Sequence, residues 1–279
     1  MIKAGLIGSG IAGSLTPAMH VAEGAAQGLN YSYVRFDVST PQCANQTLAN
    51  ILLMVEAGGF AGVNITYPYK QAVLELLDEI TDEAGEIGAV NTVVFRDGKR
   101  FGHNTDYNGF RTAFAHELSL LPHKNVALVG AGGAGAAVGL ALLDEGVKSL
   151  CVLDNDLRAA RRLVSTLQHL RPLVEVGVWS GQAAVDGLIN ATPMGMVSHP
   201  GAAVSLDEVT VQHWVGDIVY FPLITKLLHD ATSLKLHTMT GGGMAVGQAS
   251  DAFQLFTGLT ASAERMTEKF LALNTDKAA

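Results

Sequence analysis

Lys70 stands in the stretch NITYPYK (Asn64–Lys70), where an apolar run gives way to a proline. Pro68 fits the opening of a helix, which puts Lys70 in the first helical turn, at the positive end of the dipole. An isolated lysine is usually a solvated surface group. At that end of a helix the field favours release of its proton, which suits the residue to proton transfer. Asp106, in GHNTDYNGF, stands immediately before a helical pattern and reads first as an N-cap. Asn91, in GAVNTVV, opens a strand, a common turn position. Gln248 falls one turn into a helix after the glycines of TGGGM, where a lone glutamine is ordinarily exposed. Tyr220, in DIVYFP, leaves a strand end and reads equally well as core.

Two glycine runs carry a second kind of chemistry. Gly8, Gly10, Gly13 and Gly130, Gly132, Gly135 both fit G-x-G-x-x-G after a short apolar run. The pattern cradles a pyrophosphate only if a helix begins at the second glycine, with its free N–H groups facing the ligand. The second run meets that condition. Small residues follow it (Ala134, Ala136, Ala137, Gly139), and the next strand, SLCVLD, ends in Asp154. That acid falls about 20 residues on, where a carboxylate holds a ribose 2′-hydroxyl and disfavours a 2′-phosphate. NAD is therefore the expected cofactor. Arg158, Arg161 and Arg162 keep NADP as the alternative. The first run fails on one detail. Ser14, Leu15, Thr16 and Pro17 follow Gly13, so the helix starts later, with Thr16 as its cap and Pro17 as its first residue. Asp37 mimics the ribose acid by spacing alone. The plain reading of this run is a capped glycine turn; the sharper one is a small polar-ligand site at Ser14 and Thr16. Asn190 and Thr192, in INATPMGM, leave another strand as a loop over a cofactor does.

These groups need elements to hold them. The chain has 279 residues, 48% hydrophobic and 16% charged, with 31 glycines, which fits a well-buried α/β protein. Strands are expected at Lys3–Ile7, Tyr31–Phe36, Gly62–Thr66 and Thr92–Arg96, with a hairpin turn at Arg96–Arg100 and helices at Pro17–Gln27, Ala44–Glu56 and Tyr69–Leu77. A second unit has strands at Val126–Val129, Ser149–Leu153, Val174–Val178, Gly187–Asn190, Trp214–Ile218 and Lys235–Thr238. Its helices are expected at Ala134–Glu145, Arg158–Leu170 and Leu223–Asp230. Such alternation implies mainly parallel sheet. Phe110–Leu118 has helical spacing and bridges the units. Helices at Ala245–Phe256 and Ala261–Leu271 have no strands of their own, so they pack back onto one unit.

The net charge of −8 has no basic stripe beside it, which argues against nucleic acid and anionic membrane as partners. Cys43 and Cys151 form no C-x-x-C, which fits a reducing cytoplasm. No signal peptide is expected at the start. The uncharged run Val126–Leu143 contains five glycines and reads as soluble core rather than membrane. The nine histidines form no metal-binding spacing, there is no G-x-S-x-G, and neither cysteine has a catalytic context, so no metal is expected.

Taken together, SLTPAMH, NITYPYKQ, GAVNTVV, GHNTDYNGF, VGAGGAGAA, NATPMGM, DIVYFP and GMAVGQASDAF resemble, in order and along the whole chain, the shikimate dehydrogenase family, including its quinate/shikimate branch. The resemblance implies reversible hydride transfer between a nicotinamide cofactor and the shikimate/3-dehydroshikimate pair, or the quinate pair. It implies Lys70 and Asp106 as the catalytic pair, Ser14 and Thr16 at the substrate carboxylate, Thr66, Asn91 and Gln248 at the ring hydroxyls, and Tyr220 near substrate and nicotinamide. The cofactor would lie on Gly130, Gly132, Gly133, Ala134 and Gly135, with Asp154 and Arg158 beyond them. Asn190, Thr192, Met194, Val219, Gly243 and Met244 would complete that set. The implied domains are residues 1–106 with 241–279 for substrate and catalysis, and 107–240 as a Rossmann-type insertion. The assembly expected is a monomer or homodimer acting on a small cyclic hydroxy acid.

Two departures bear on specificity. Ser14-Leu15-Thr16 replaces the S-x-S usual in biosynthetic members, and its extra methyl narrows the carboxylate pocket. Asp154-Asn155-Asp156 replaces the Asn-Arg-Thr of NADP-using members, as in the NAD-using branch. Two alternatives stand: a dehydrogenase for a related acid such as aminoshikimate, and a non-catalytic dinucleotide sensor.

Overall fold

The computed structural model describes residues 1–278 except 42, 44, 182 and 183, with the side chains of 276–278 left aside. The chain divides into two compact units, Met1–Thr105 with Val246–Thr275, and Asp106–Ala245.

The first unit holds β1 (Ile2–Gly8), α1 (Thr16–Ala26), β2 (Tyr31–Asp37), α2 (Leu48–Ala57), β3 (Gly62–Ile65), β4 (Glu79–Ile80), α3 (Asp82–Ile87), β5 (Thr92–Arg96) and β6 (Lys99–His103). Its sheet runs β2-β1-β3-β5-β6-β4. β1 is parallel to β2 and β3, while β5 is antiparallel to β3 and β6. The carboxyl ends of β1 and β3 and the start of β5 therefore share one edge. Ile7 registers with Ile65, and Asn64 with Thr92. The expected hairpin turn between β5 and β6 is present, with Asp97 and Gly98 both at positive φ, as a tight hairpin demands.

α4 (Thr105–Glu117) opens the second unit's run of elements. It continues with β7 (Asn125–Val129), α5 (Gly133–Asp144), β8 (Ser149–Leu153), α6 (Leu157–Leu170), β9 (Glu175–Val178), β10 (Val185–Asn190), β11 (Val211–Asp217), α7 (Lys226–Ser233) and β12 (His237–Met239). All its strands are parallel, in the order β12-β11-β10-β7-β8-β9. Counted within the unit, this is the doubly wound order of dinucleotide-binding sheets, with the switch point between β7 and β10. Burial explains the strand sequences. Val126–Val129 and Leu188–Ile189 are covered on both faces and read as continuous apolar runs. Phe114 stacks on Phe110 and meets Trp214 edge-on in the same core. Gly187 lies against Trp214, where a Cβ would stand 1.9 Å from the indole.

α8 (Gly242–Thr257) and α9 (Ala263–Ala278) close the chain. They pack back onto the first unit, as their lack of strands predicts. Phe256 and Ala252 join Ala4 and Val94 in one cluster, and a Cβ on Gly62 would strike the Phe256 ring at 2.3 Å. The buried Glu23 of α1 ties α9 down, accepting from Arg265 Nη2 at 2.6 Å and from the Ser262 N–H at 2.9 Å.

Several expected boundaries move. The helix start at Ala44 lies outside the described residues, and α2 begins at Leu48, where Thr47 caps it by accepting from Asn50 N–H. The Leu223–Asp230 helix starts at Lys226, because Thr225 is its cap. No helix among the described residues is long and apolar enough to cross a membrane.

Candidate functional site

In the second unit the glycine loop leaves β7 and runs directly into α5. Gly132 is the N-cap, with no side chain capping the helix, so its first N–H groups face outward. Each glycine has a distinct task. Gly130 sits at φ +106, and a Cβ there would meet Thr192 and the Ala191 carbonyl at 2.8–3.0 Å. Gly132 has nothing within 4 Å of its Cβ position, which leaves the room a pyrophosphate needs. At Gly135 a Cβ would stand 2.0 Å from the Gly130 carbonyl oxygen, so only glycine lets α5 close on the loop. Gly133 and Ala134 form the first turn. Asp154, just past β8, accepts from Ala131 N–H at 2.7 Å through one oxygen and from Asp156 N–H at 2.8 Å through the other. It thus shapes the loop while keeping lone pairs for a ligand hydroxyl. Arg158 is exposed on α6 next to it.

Two further loops leave the same strand ends. Asn190 closes β10, and its Oδ1 accepts from Thr192 N–H (3.1 Å) and Oγ1 (2.7 Å), while its Nδ2 donates to the Met194 carbonyl at 3.0 Å. Val219 and Tyr220 follow β11; Gly243 and Met244 lie in the first turn of α8. Asp106 also belongs to this unit, buried in the first turn of α4. It is therefore not the N-cap its sequence position predicts, because the helix already includes Thr105. Beside it, Tyr107 donates to Asp144 at 2.7 Å, and Asp144 is also paired with Arg171. Sequence reasoning missed this anchor, since it joins three separate elements.

In the first unit the candidate residues gather at the shared sheet edge. The loop after β1 makes a short 3-10 turn (Ile11–Gly13), and α1 comes next. Thr16 is not the cap but the first residue of α1, whose N-cap is Leu15, so its hydroxyl is not consumed in capping. Gln248 of α8 reaches it, Nε2 to Thr16 Oγ1 at 3.4 Å, across 232 residues of sequence. Gln248 lies nearly two turns into its helix rather than one, since α8 starts at Gly242. Ser14 stands just before, with its carbonyl held by Arg35 at 3.0 Å.

Thr66 leaves β3 against the first glycine loop, and a Cβ on Gly8 would overlap its Cγ2 at 2.3 Å. The helix expected at Tyr69–Leu77 does not form. The chain turns, with Tyr69 N–H donating to the Thr66 carbonyl at 2.9 Å, and a 3-10 helix runs only from Ala72 to Leu76. The cause lies in the backbone. The Lys70 carbonyl accepts from Val90 N–H at 2.8 Å and is not available to a helix. Lys70 is thus held by the neighbouring segment, not by a helix dipole. Asn91 is also more than a turn residue. Buried at the edge, its Oδ1 accepts from Thr105 N–H at 2.8 Å and from Thr92 Oγ1 at 3.0 Å, and Thr92 Oγ1 in turn accepts from Asn64 at 2.9 Å.

Known proteins match the chain throughout. The family model for the shikimate dehydrogenase substrate binding domain matches residues 6–93. The chain is 46% identical over 279 residues to a quinate/shikimate dehydrogenase (NAD(+)) of Corynebacterium efficiens, covering 98% of each. It is 44% identical to a shikimate dehydrogenase (NADP(+)) of Pseudarthrobacter chlorophenolicus, covering 96% of this chain and 94% of that one. The fold matches that of quinate dehydrogenase from Corynebacterium glutamicum in complex with NAD, with a TM-score of 0.90 at 46% identity, covering 97% of this chain and 99% of the other. The chain belongs to the shikimate dehydrogenase family, and is an NAD(P)-dependent oxidoreductase acting on a CH–OH group.

Proposed function

We propose that the chain interconverts shikimate and 3-dehydroshikimate with NAD as its preferred cofactor, and that it also accepts the quinate pair. The observation that carries the cofactor half is the α5 start, an uncapped N-terminus at Gly132 with open space beside it and Asp154 at the end of the neighbouring strand. A dinucleotide fits this cradle. The N–H groups of Gly132–Ala134 would hold its pyrophosphate, and Asp154 its ribose hydroxyls. A 2′-phosphate would face the Asp154 carboxylate, with Asp156 two residues on.

A nicotinamide held there would supply the hydride acceptor for oxidation of the carbinol carbon and the hydride donor for the reverse reaction. The protein's own groups manage the rest. Lys70 and Asp106 hold the reacting hydroxyl and move its proton. Ser14 and Thr16 donate to the substrate carboxylate, and Thr66, Asn91 and Gln248 meet the ring hydroxyls. The contact between Gln248 and Thr16 supports placing these two at one ligand. Ser14, Thr16, Thr66, Lys70, Asn91 and Gln248 belong to the first unit, 1–105 with 246–275, whereas the cofactor residues and Asp106 belong to the second.

The test is a steady-state panel of shikimate and quinate against NAD and NADP, following NADH or NADPH absorbance. Turnover of either acid with a higher kcat/KM for NAD is expected. Dinucleotide binding without turnover of either acid would favour the sensor reading, and turnover with NADP alone would overturn the role of Asp154.

A further inference from the structure

Asp217 is the last residue of β11 and is wholly buried, beside its register partner Asn190 at the end of β10. Three donors converge on its carboxylate. Oδ1 accepts from Asn190 Nδ2 at 2.9 Å and from the Val219 N–H at 2.9 Å, and Oδ2 accepts from Thr225 Oγ1 at 2.7 Å. Each donor governs a different segment. Asn190 organises the turn through Thr192 to Met194. Val219 begins the segment carrying Tyr220. Thr225 caps α7, accepting from Leu228 N–H at 3.3 Å. Gly195 closes over the group at φ +104, with its Cβ position 3.6 Å from Asp217 Oδ2.

Stability alone does not account for a carboxylate here. An apolar side chain would fill the space without the cost of desolvating a charge. That cost is visible: burial pushes the Asp217 carboxyl up to about 6 despite hydrogen bonds from Val219, Thr225 and Asn190. What an ionised carboxylate supplies is a group that only accepts, so three N–H and O–H donors can meet on it. An amide in its place keeps the two bonds to one oxygen but turns an N–H towards Thr225, whose hydroxyl must then reverse.

We propose that Asp217 is a positioning residue that holds the Thr192–Met194 and Val219–Tyr220 segments in the geometry that receives the nicotinamide end of the cofactor. The inference rests on the reading of those segments as cofactor-binding. It separates from a general packing role by its selectivity: of the residues on these loops only Tyr220 is read as approaching the acid, so a clamp on them acts mainly on the dinucleotide.

Asp217→Asn and Thr225→Val test it in the full-length protein, by NADH fluorescence titration and by KM for NAD and for shikimate measured separately. Asp217→Asn is expected to weaken NADH binding and raise KM for NAD roughly 10-fold, as the loss of a charge-assisted bond does. KM for shikimate should stay within about twofold. Thr225→Val, which removes one donor, should act in the same direction by about threefold, and it decides the matter if Asp217→Asn fails to fold. Equal NADH affinity in a folded variant, or equal rises in both KM values, overturns the clamp while leaving the proposed function standing. Failure of the unmodified protein to bind NADH overturns the cofactor reading, and the clamp with it.

Discussion

The same glycine spacing occurs twice in this chain and builds two different things. After β1 and after β7 a G-x-G-x-x-G run precedes a strand with an aspartate at its end (Asp37) or just past it (Asp154), and in both units that aspartate turns back to hold the loop. Asp37 accepts from the N–H groups of Gly10 and Ile11; Asp154 accepts from that of Ala131. The likeness ends there. Asp37 is buried and also takes the N–H and hydroxyl of Ser39. Burial opposes its ionisation, yet these bonds outweigh it and hold the carboxyl below its usual range. It is a fastener with no capacity left over. Asp154 has two donors and stands partly open. The third glycine separates the loops further. A Cβ on Gly135 would stand 2.0 Å from the carbonyl oxygen of its own loop, whereas one on Gly13 would have nothing within 4 Å. The residues after the third glycine therefore decide the outcome. Small ones let a helix close at once, while Ser14, Leu15 and Thr16 delay it and leave hydroxyls at the sheet edge.

If the two loops divide the work between acid and dinucleotide, damage in each unit should have a separate signature. The largest effect is expected from Lys70→Ala. Removing a proton-transfer group lowers kcat by about 10²–10⁴-fold, and NADH affinity should be nearly unchanged because Lys70 lies in the first unit. Activity close to that of the unmodified protein would remove Lys70 from the reaction. The next largest is the matched pair Gly135→Ala and Gly13→Ala. The first forces a methyl against a backbone carbonyl, an overpacking cost of about 1–3 kcal/mol, which would lower dinucleotide affinity by about 5- to 150-fold if it falls on the bound loop geometry. The second adds a methyl to open space and should stay within about twofold. Similar losses in both variants, read by fluorescence titration, would erase the distinction between the loops.

The second unit is the more legible in the sequence, for a physical reason. Its strands are buried on both faces and its cofactor helix is pressed on the sheet, so both appear as runs of apolar and small residues. The expected strand Ser149–Leu153 is the observed one. The first unit depends on contacts that local patterns do not carry. Val73, Leu74, Leu76 and Leu77 look helical, but the Lys70 carbonyl is committed to Val90, and the segment stays a short 3-10 turn. α3 spans only six residues, too few for a period to show. Among the site residues, the glycines of the α5 loop and Asp154 can be placed by spacing alone. Asn91 and Gln248 can be placed only by family likeness, because their partners lie on distant elements. Asp217 has a faint signal, a carboxylate ending an apolar strand, but its meaning needs Asn190 and Thr225 in space.

Asp154→Asn sharpens the cofactor half of the comparison. The amide oxygen still accepts from Ala131 N–H, so that bond to the glycine loop is kept, while the bond from Asp156 N–H and the charge that opposes a 2′-phosphate are lost. The NAD-to-NADP ratio of kcat/KM should fall roughly tenfold, about the worth of one charged hydrogen bond at 1.5 kcal/mol. An unchanged ratio would show that the acid serves the loop alone, as Asp37 does in the first unit.

The smallest effect concerns what holds the first loop's helix in place. His20 lies one turn after Thr16 on α1, fully buried, with Nδ1 2.9 Å from Tyr31 Oη and its ring edge-on to Tyr33 at 4.9 Å. Burial pushes its pKa down from 6.5 to about 3. The folded state therefore binds this proton less readily than the unfolded state. Above pH 6.5 the residue carries no penalty; as pH falls from 6.5 towards 3, stability is lost at up to about 1.4 kcal/mol per unit. Glutamine at this position keeps a hydrogen-bonding group for Tyr31 and cannot titrate. His20→Gln should lower stability by a roughly constant amount and flatten the dependence on pH between 6.5 and 4, measured by urea unfolding at each pH. The second unit's sites, carried on other helices, should keep their NADH affinity at neutral pH in this variant. A pH slope as steep as that of the unmodified protein would assign the acid sensitivity to other groups and leave His20 as packing alone.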